Sequence, residues 1–178
     1  EELIKLMKEV EYPEDERLLP YYVQYFRLTQ QEEDFLKGMS AEDYLAGLYF
    51  EYAMNTGNVF LRSWFEFNLN LNNLFTAIFC RRHQINQQHL VVGHNEVASI
   101  LRTSHARDYG IGNLFDYTED VIKIAEEIDL LEREKKVDAL KWSWLEEHTF
   151  FNYFTVEKVL SYTLRAGMLQ RWKMLSFE

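Results

Sequence analysis

Residues 58–82, N-V-F-L-R-S-W-F-E-F-N-L-N-L-N-N-L-F-T-A-I-F-C-R-R, are the stretch whose periodicity decides the fold. At about 3.6 residues per turn, Phe60, Trp64, Phe67, Leu71, Leu74, Phe75 and Ile78 share one stripe, which Leu61, Phe65, Leu69 and Phe79 widen past half the circumference. The spacing predicts an enclosed central helix with neighbours on several sides. Its remaining face carries Arg62, Glu66, Asn70, Asn73 and Arg81, with Asn68 and Asn72 interrupting the apolar flank. Each polar group enclosed there must find a partner or cost about 1–3 kcal/mol. Arg62 to Glu66 and Glu66 to Asn70 are i,i+4 pairs, so the expected arrangement is a structural polar network satisfied along the helix itself.

Upstream of this stretch, Ser40-Ala-Glu-Asp43 is a helix-start signal, a hydroxyl cap followed by acids in the first turn. The helix it opens carries Tyr44, Leu45, Leu48, Tyr49 and Tyr52, and Asn55-Thr-Gly57 closes it. With Asn58 capping the central helix, residues 41–82 are expected to form an antiparallel helical hairpin. Residues 17–37 hold Leu18, Tyr21, Tyr22, Tyr25, Phe26 and Leu28 at helical spacing, with Pro20 in a first turn or at a kink and Gly38 as the stop. Before them, Leu3, Ile4, Met7 and Val10 form a shorter stripe that runs into an acidic turn around Pro13.

Downstream, residues 83–93 are a polar loop, and His94 or Asn95 opens a short helix to Arg102 containing Val97, Ala98, Ile100 and Leu101. Residues 103–115, with Gly110 and Gly112, are the longest irregular connection and the place to look for a hinge. Asp116 or Thr118 is expected to cap a helix running to about Lys136, with Val121, Ile122, Ile124, Ala125, Ile128 and Leu131 inside. Its outer face is acidic, and Glu119, Glu126, Glu127 and Glu134 are candidate partner-facing residues. Residues 137–154 are aromatic on nearly every side through Trp142, Trp144, Phe150, Phe151, Tyr153 and Phe154, which predicts a sandwiched element. Thr155 caps a last helix whose Val156, Val159, Leu160, Thr163, Gly167 and Met174 share a face, and Gly167 is read as a point of close approach to another helix.

Only 7 Gly and 2 Pro punctuate 178 residues, too few for many short strands and tight turns. The expected fold is all-α, a compact multi-helix bundle built on antiparallel helical hairpins. Residues 1–178 suit a single helical domain, read as a trimmed part of a longer chain because it opens on Glu1 without an initiator Met. A net charge of −10 opposes binding to nucleic acid phosphates. The lone Cys80 excludes an internal disulfide and fits a reducing cytoplasmic compartment. No charge-free run of about 18 apolar residues occurs, so no helix is expected to span a bilayer.

No Glu has His three residues on, as a di-iron bundle needs, and zinc-protease, phosphate-loop and nucleophile-elbow spacings are missing too. No catalytic residue, cofactor or metal is therefore expected. His89 and His94 flank a loop, and His148 beside Glu146 and Glu147 lies in the aromatic segment. An enzyme would have to assemble a polar pocket from scattered residues, Glu51, Glu66 and His148 being the candidates.

The run Glu66-Phe-Asn-Leu-Asn-Leu-Asn-Asn-Leu-Phe-Thr-Ala-Ile-Phe-Cys-Arg-Arg-His resembles a helix of the C-type subunits of V/A-type ATPases, known as d-type in eukaryotic complexes. The last helix, Val159-Leu-Ser-Tyr-Thr-Leu-Arg-Ala-Gly-Met-Leu-Gln-Arg-Trp-Lys-Met-Leu, is similar to that family's closing helix. The likeness is closest to a divergent bacterial V-type variant, with Asn68 where the family often has Asp and Gly167 where a larger residue is usual. It implies a non-catalytic rotor or central-stalk component that couples the shaft to the membrane ring, peripheral on the cytoplasmic face and not inserted. Its partners would be other V-type ATPase subunits. The alternatives are a helical enzyme with a polar core pocket around Glu66 and His148, and an acidic helical adaptor for a basic protein.

Overall fold

A computed structural model describes residues 18–31, 36 and 38–175. The stripe at Leu3 to Val10 and the acidic turn around Pro13 lie outside the described residues. Among the described residues seven α-helices follow one another: α1 (Pro20–Gln31), α2 (Ala41–Met54), α3 (Val59–His83), α4 (Glu96–Thr103), α5 (Thr118–Ala125), α6 (Leu130–Glu147) and α7 (Val156–Leu175). A 3-10 turn at Gln87–His89 lies between α3 and α4, and no strand occurs among the described residues. The protein is all-α, a compact bundle of helical hairpins.

Local chemistry explains most of the boundaries. Pro20 is the first residue of α1, where its missing N–H costs nothing. Ser40 Oγ accepts from the Asp43 amide at 3.0 Å and donates to the Asp43 carboxylate at 2.9 Å, closing the start of α2. Asn58 caps α3 through Oδ1, which accepts from the Leu61 amide at 2.9 Å. Arg81, Arg82 and His83 occupy the last turn of α3, favourable to the dipole, and Gln84 ends it in the left-handed region.

Helix α3 is the hub, packed against α2, α4 and α5. Phe60, Trp64, Phe67, Leu71, Leu74 and Ile78 are buried as their periodicity predicts. Leu69 joins them, but Phe79 is 53% exposed and rests against the His83 ring, so the enclosure opens at the C-terminal end. From α6, Trp144 inserts its ring 5.3–5.8 Å from those of Phe60, Trp64 and Phe67. Such ring clusters add to area burial and resist deformation.

Four expectations need correction. Residues 104–117 are irregular, yet Tyr109, Ile111 and Phe115 within them are buried and plug the core, which makes the segment an anchored strap in place of a hinge. The helix expected over 118–136 breaks after Ala125, because Glu127 and Asp129 turn their carboxylates on the chain. Glu127 accepts from the Ile128 and Asp129 amides, and Asp129 Oδ1 accepts from Leu131 and Glu132 at 2.8 and 3.1 Å as the cap of α6. Ile128 and Leu131 consequently lie exposed at 94% and 53%. Thr118 is no cap, being buried with its hydroxyl on the Phe115 carbonyl, and Tyr117 precedes α5 without a side-chain cap.

The third correction concerns the aromatic segment. α6 stops at Glu147, and Phe150, Phe151, Tyr153 and Phe154 in the following turn all face solvent, Phe154 at a positive φ of 57°. The fourth concerns α7, whose principal neighbour is α6. Its inner side is Leu160, Ser161, Leu164 and Met168, while Val156, Val159 and Met174 are exposed. A Cβ added to Gly167 would meet nothing within 4 Å, so no helix approaches there.

Candidate functional site

The polar network of α3 is real at two positions and turns outward at the others. Asn73 and Asn70 are 2% and 5% exposed, whereas Arg62, Glu66 and Arg81 are on the surface. No ion pair among the described residues joins Arg62 to Glu66. Asn73 instead bridges to the loop after α3, its Nδ2 donating to the Val92 carbonyl at 2.7 Å and its Oδ1 accepting from the Val92 amide at 2.9 Å. Asn70 Oδ1 accepts from Asn95 Nδ2 at 2.8 Å, and Asn95 Oδ1 caps α4 by accepting from the Ala98 amide at 3.0 Å. Arg102 reaches back to the Val91 and Gly93 carbonyls. Asn73 and Arg102 thus satisfy the backbone of the loop that would otherwise be stranded against α3, and Asn70 holds the loop through the Asn95 side chain. Arg81 sits over the strap, its guanidinium carbon 3.7 Å from the ring centre of the buried Tyr109.

One turn before Asn70, the exposed end of this face borders an open pocket of about 280 Å³. Glu66 and Asn70 come from α3, Glu96 from the first turn of α4, Asp116 and Tyr117 from the end of the strap, and Trp144 and His148 from the end of α6. The floor is aromatic: the Trp144 ring stacks on Phe67 at 5.3 Å and on His148 at 3.8 Å. His148 Nδ1 lies 2.9 Å from the Trp144 carbonyl, which can only accept, so a proton is assigned to Nδ1, and Nε2 is the ring nitrogen outside that bond. Tyr117 donates to Glu147 at 3.0 Å; burial, with that carboxylate's hydrogen bond and charge, pushes its hydroxyl pKa well above the ordinary tyrosine value.

The fold therefore brings Glu66 and His148 to one pocket, as the enzyme alternative requires, and adds Glu96 and Asp116. Glu51 is not among its lining residues and is exposed on α2. Carboxylates and one imidazole around an aromatic floor can take protons or hold a cation. No group of three His, Cys, Asp or Glu among the described residues is placed to share a metal ion. Glu96 and Asp116 are hidden in the sequence because each reads as a helix-start acid; the signal for the first is Asn95, whose capping role points Glu96 at the α3 face.

The acidic surface is divided by the break at residues 126–129. Glu119 and Glu126 line an open groove with Arg107, Asp108, Ile122 and Lys123. Glu127 pairs with Lys136, which with two backbone amides holds its carboxyl below the usual range. Glu134 is exposed on α6. No helix among the described residues is long and apolar enough to cross a membrane.

No curated protein and no solved structure matches the chain. A family model does, that of DUF2764, described as a protein of unknown function, over residues 1–178. The match spans the whole chain, and the protein belongs to the DUF2764 family.

Proposed function

We propose that the protein is a non-catalytic coupling component of a V-type ATPase, seated between the central shaft and the membrane ring on the cytoplasmic face. The observation that carries this reading is the state of α7. Of its 20 residues only Ser161 is buried, and Val156, Val159, Tyr162, Leu169, Met174 and Leu175 are each at least 60% exposed. Apolar surface left open on that scale marks a contact with another protein. α7 and α3 are also the two segments that resemble the C-type subunits of these ATPases, one offering a surface and the other a stiff interior. A ring-filled interior transmits force because close-packed side chains have low compressibility. No chemistry is needed for such a role, and none is assigned to it.

The test is recovery of the protein from native membranes through an affinity tag. Shaft and ring subunits should come down with it, and replacing Val159 and Leu169 with Ser should release them while the fold persists. Recovery free of every ATPase subunit would overturn the reading. A second reading rests on the Glu66 and His148 pocket, since neither Arg nor Asn ties up the Glu66 carboxylate as a purely structural role would demand. It expects an activity or ligand lost in both Glu66→Gln and His148→Ala, and binding of shaft subunits unaffected by those two changes.

A further inference from the structure

On the other side of α3, where α6 begins, a pocket of about 350 Å³ has an apolar wall of Phe75, Phe79 and Val137 and a polar one of Asn72, Arg133, Glu134 and Lys141. Of the eight cations of α6 and α7, four are matched to acids, Lys158 donates to the Thr149 carbonyl and Lys173 is exposed. Lys135 is 2.7 Å from Glu132, Lys136 pairs with Glu127, and Arg165 meets Glu146 at 3.1 Å. Asp138 is taken by α7, accepting from Arg171 and, at 2.6 Å, from Trp172 Nε1. The two cations that line this pocket are different. Among the described residues neither Arg133 nor Lys141 has a carboxylate within 4.0 Å or a side-chain hydrogen bond, although both are half-buried. Glu134 borders the same space but is exposed and pairs with neither. Burial pulls the Lys141 pKa down from the ordinary lysine value; Asp138 opposes the shift, Arg171 adds to it, and Glu134 opposes it.

Partly desolvated cations with no carboxylate at ion-pair distance are costly, and they are more so beside two phenyl rings and a valine. Arg133 and Lys141 lie eight residues apart on α6, about 12 Å along its axis. Both line the one pocket, so their charged ends can reach a group held between them. A guanidinium fork and an ammonium suit an oxyanion, and the apolar wall suits a body attached to it. Asn72 adds an amide donor.

We propose that the pocket between α3 and α6 binds a small amphiphilic oxyanion, a carboxylate or phosphate on an aromatic or aliphatic body, with Arg133 and Lys141 on the charge and Phe75, Phe79 and Val137 on the body. The site is separate from the Glu66 pocket and from the exposed side of α7, and it does not rest on the coupling role. The probes are benzoate and phenyl phosphate, with benzyl alcohol as the neutral match, titrated into the full chain and followed by amide chemical shifts. At least one of the two anions should bind tenfold or more tightly than benzyl alcohol, and which of them does so identifies the head group. Lys141→Met and Arg133→Met, which keep the apolar stems, should each weaken that anion about tenfold and leave benzyl alcohol unchanged, while Lys141→Arg retains binding. Should Lys141→Met fail to fold, Arg133→Met alone decides. Anions that bind no better than benzyl alcohol, or that ignore the substitutions, would overturn the proposal.

Discussion

Helices α3 and α7 are the two longest among the described residues and are built from nearly the same material, 14 apolar residues in 25 and 11 in 20. Eleven residues of α3 are buried, against one of α7. The difference lies in what surrounds them. α3 has helices on three sides, the Trp144 ring from a fourth element, and two asparagines bonded to the following loop. α7 leans mainly on α6. Equal apolar content has thus been used once to hold the chain together and once to leave a surface open, and only the first use should register in the stability of the isolated protein.

The sharpest way to break that contrast is to truncate matched leucines. Leu74→Ala, at a position with no exposure, should cost about 2–5 kcal/mol in denaturant unfolding. Leu169→Ala, at 60% exposure, should stay within about 0.5 kcal/mol. Comparable losses at both would mean that α7 is covered in the free protein and would remove the interface argument. Asparagines give the next contrast. Asn73→Ala strands the Val92 amide and carbonyl and should cost about 1–3 kcal/mol, while Asn72→Ala on the exposed flank should be near neutral by the same assay.

Glycines sharpen the comparison with opposite signs. Gly93 has φ +82° and a Cβ there would come within 2.9 Å of Leu69 Cδ2, so Gly93→Ala should lose about 1–2 kcal/mol. Gly167→Ala, in open space on α7, should gain up to about 1 kcal/mol of helix stability, read as a higher melting temperature. The smallest effect is at Glu127. Its carboxyl titrates below the ordinary value when folded, so its contribution is present above the unfolded pKa and is lost as pH falls through the folded one. Glu127→Gln should therefore flatten the acid limb of the melting curve slightly, because the pair is exposed and screened.

Much of the fold was legible where a cap and a period agree. Ser40, Asn58 and Asn95 mark their helix starts because the capping oxygen acts within three residues, a distance that sequence describes completely. The helix expected across 118–136 failed because apolar spacing carries through Ile128, whereas Glu127 and Asp129 compete for the same amides and win. Half of the pocket was legible too. Glu66 and His148 stand out as polar residues in apolar surroundings, but Asp116 and Glu96 do not, since their convergence depends on how the strap and α4 fold against α3.

From the residues alone follow the helical class, the identity of α3 as the enclosed helix and the hairpin it makes with α2, because caps and periodicity are local properties of the chain. Tertiary packing alone settled that Asn70 and Asn73 hold a distant loop in place of their own helix, that residues 104–117 plug the core, and that α7 keeps an apolar side uncovered. A side chain's partner is set by what else arrives beside it, and that is decided by the whole chain filling a common volume.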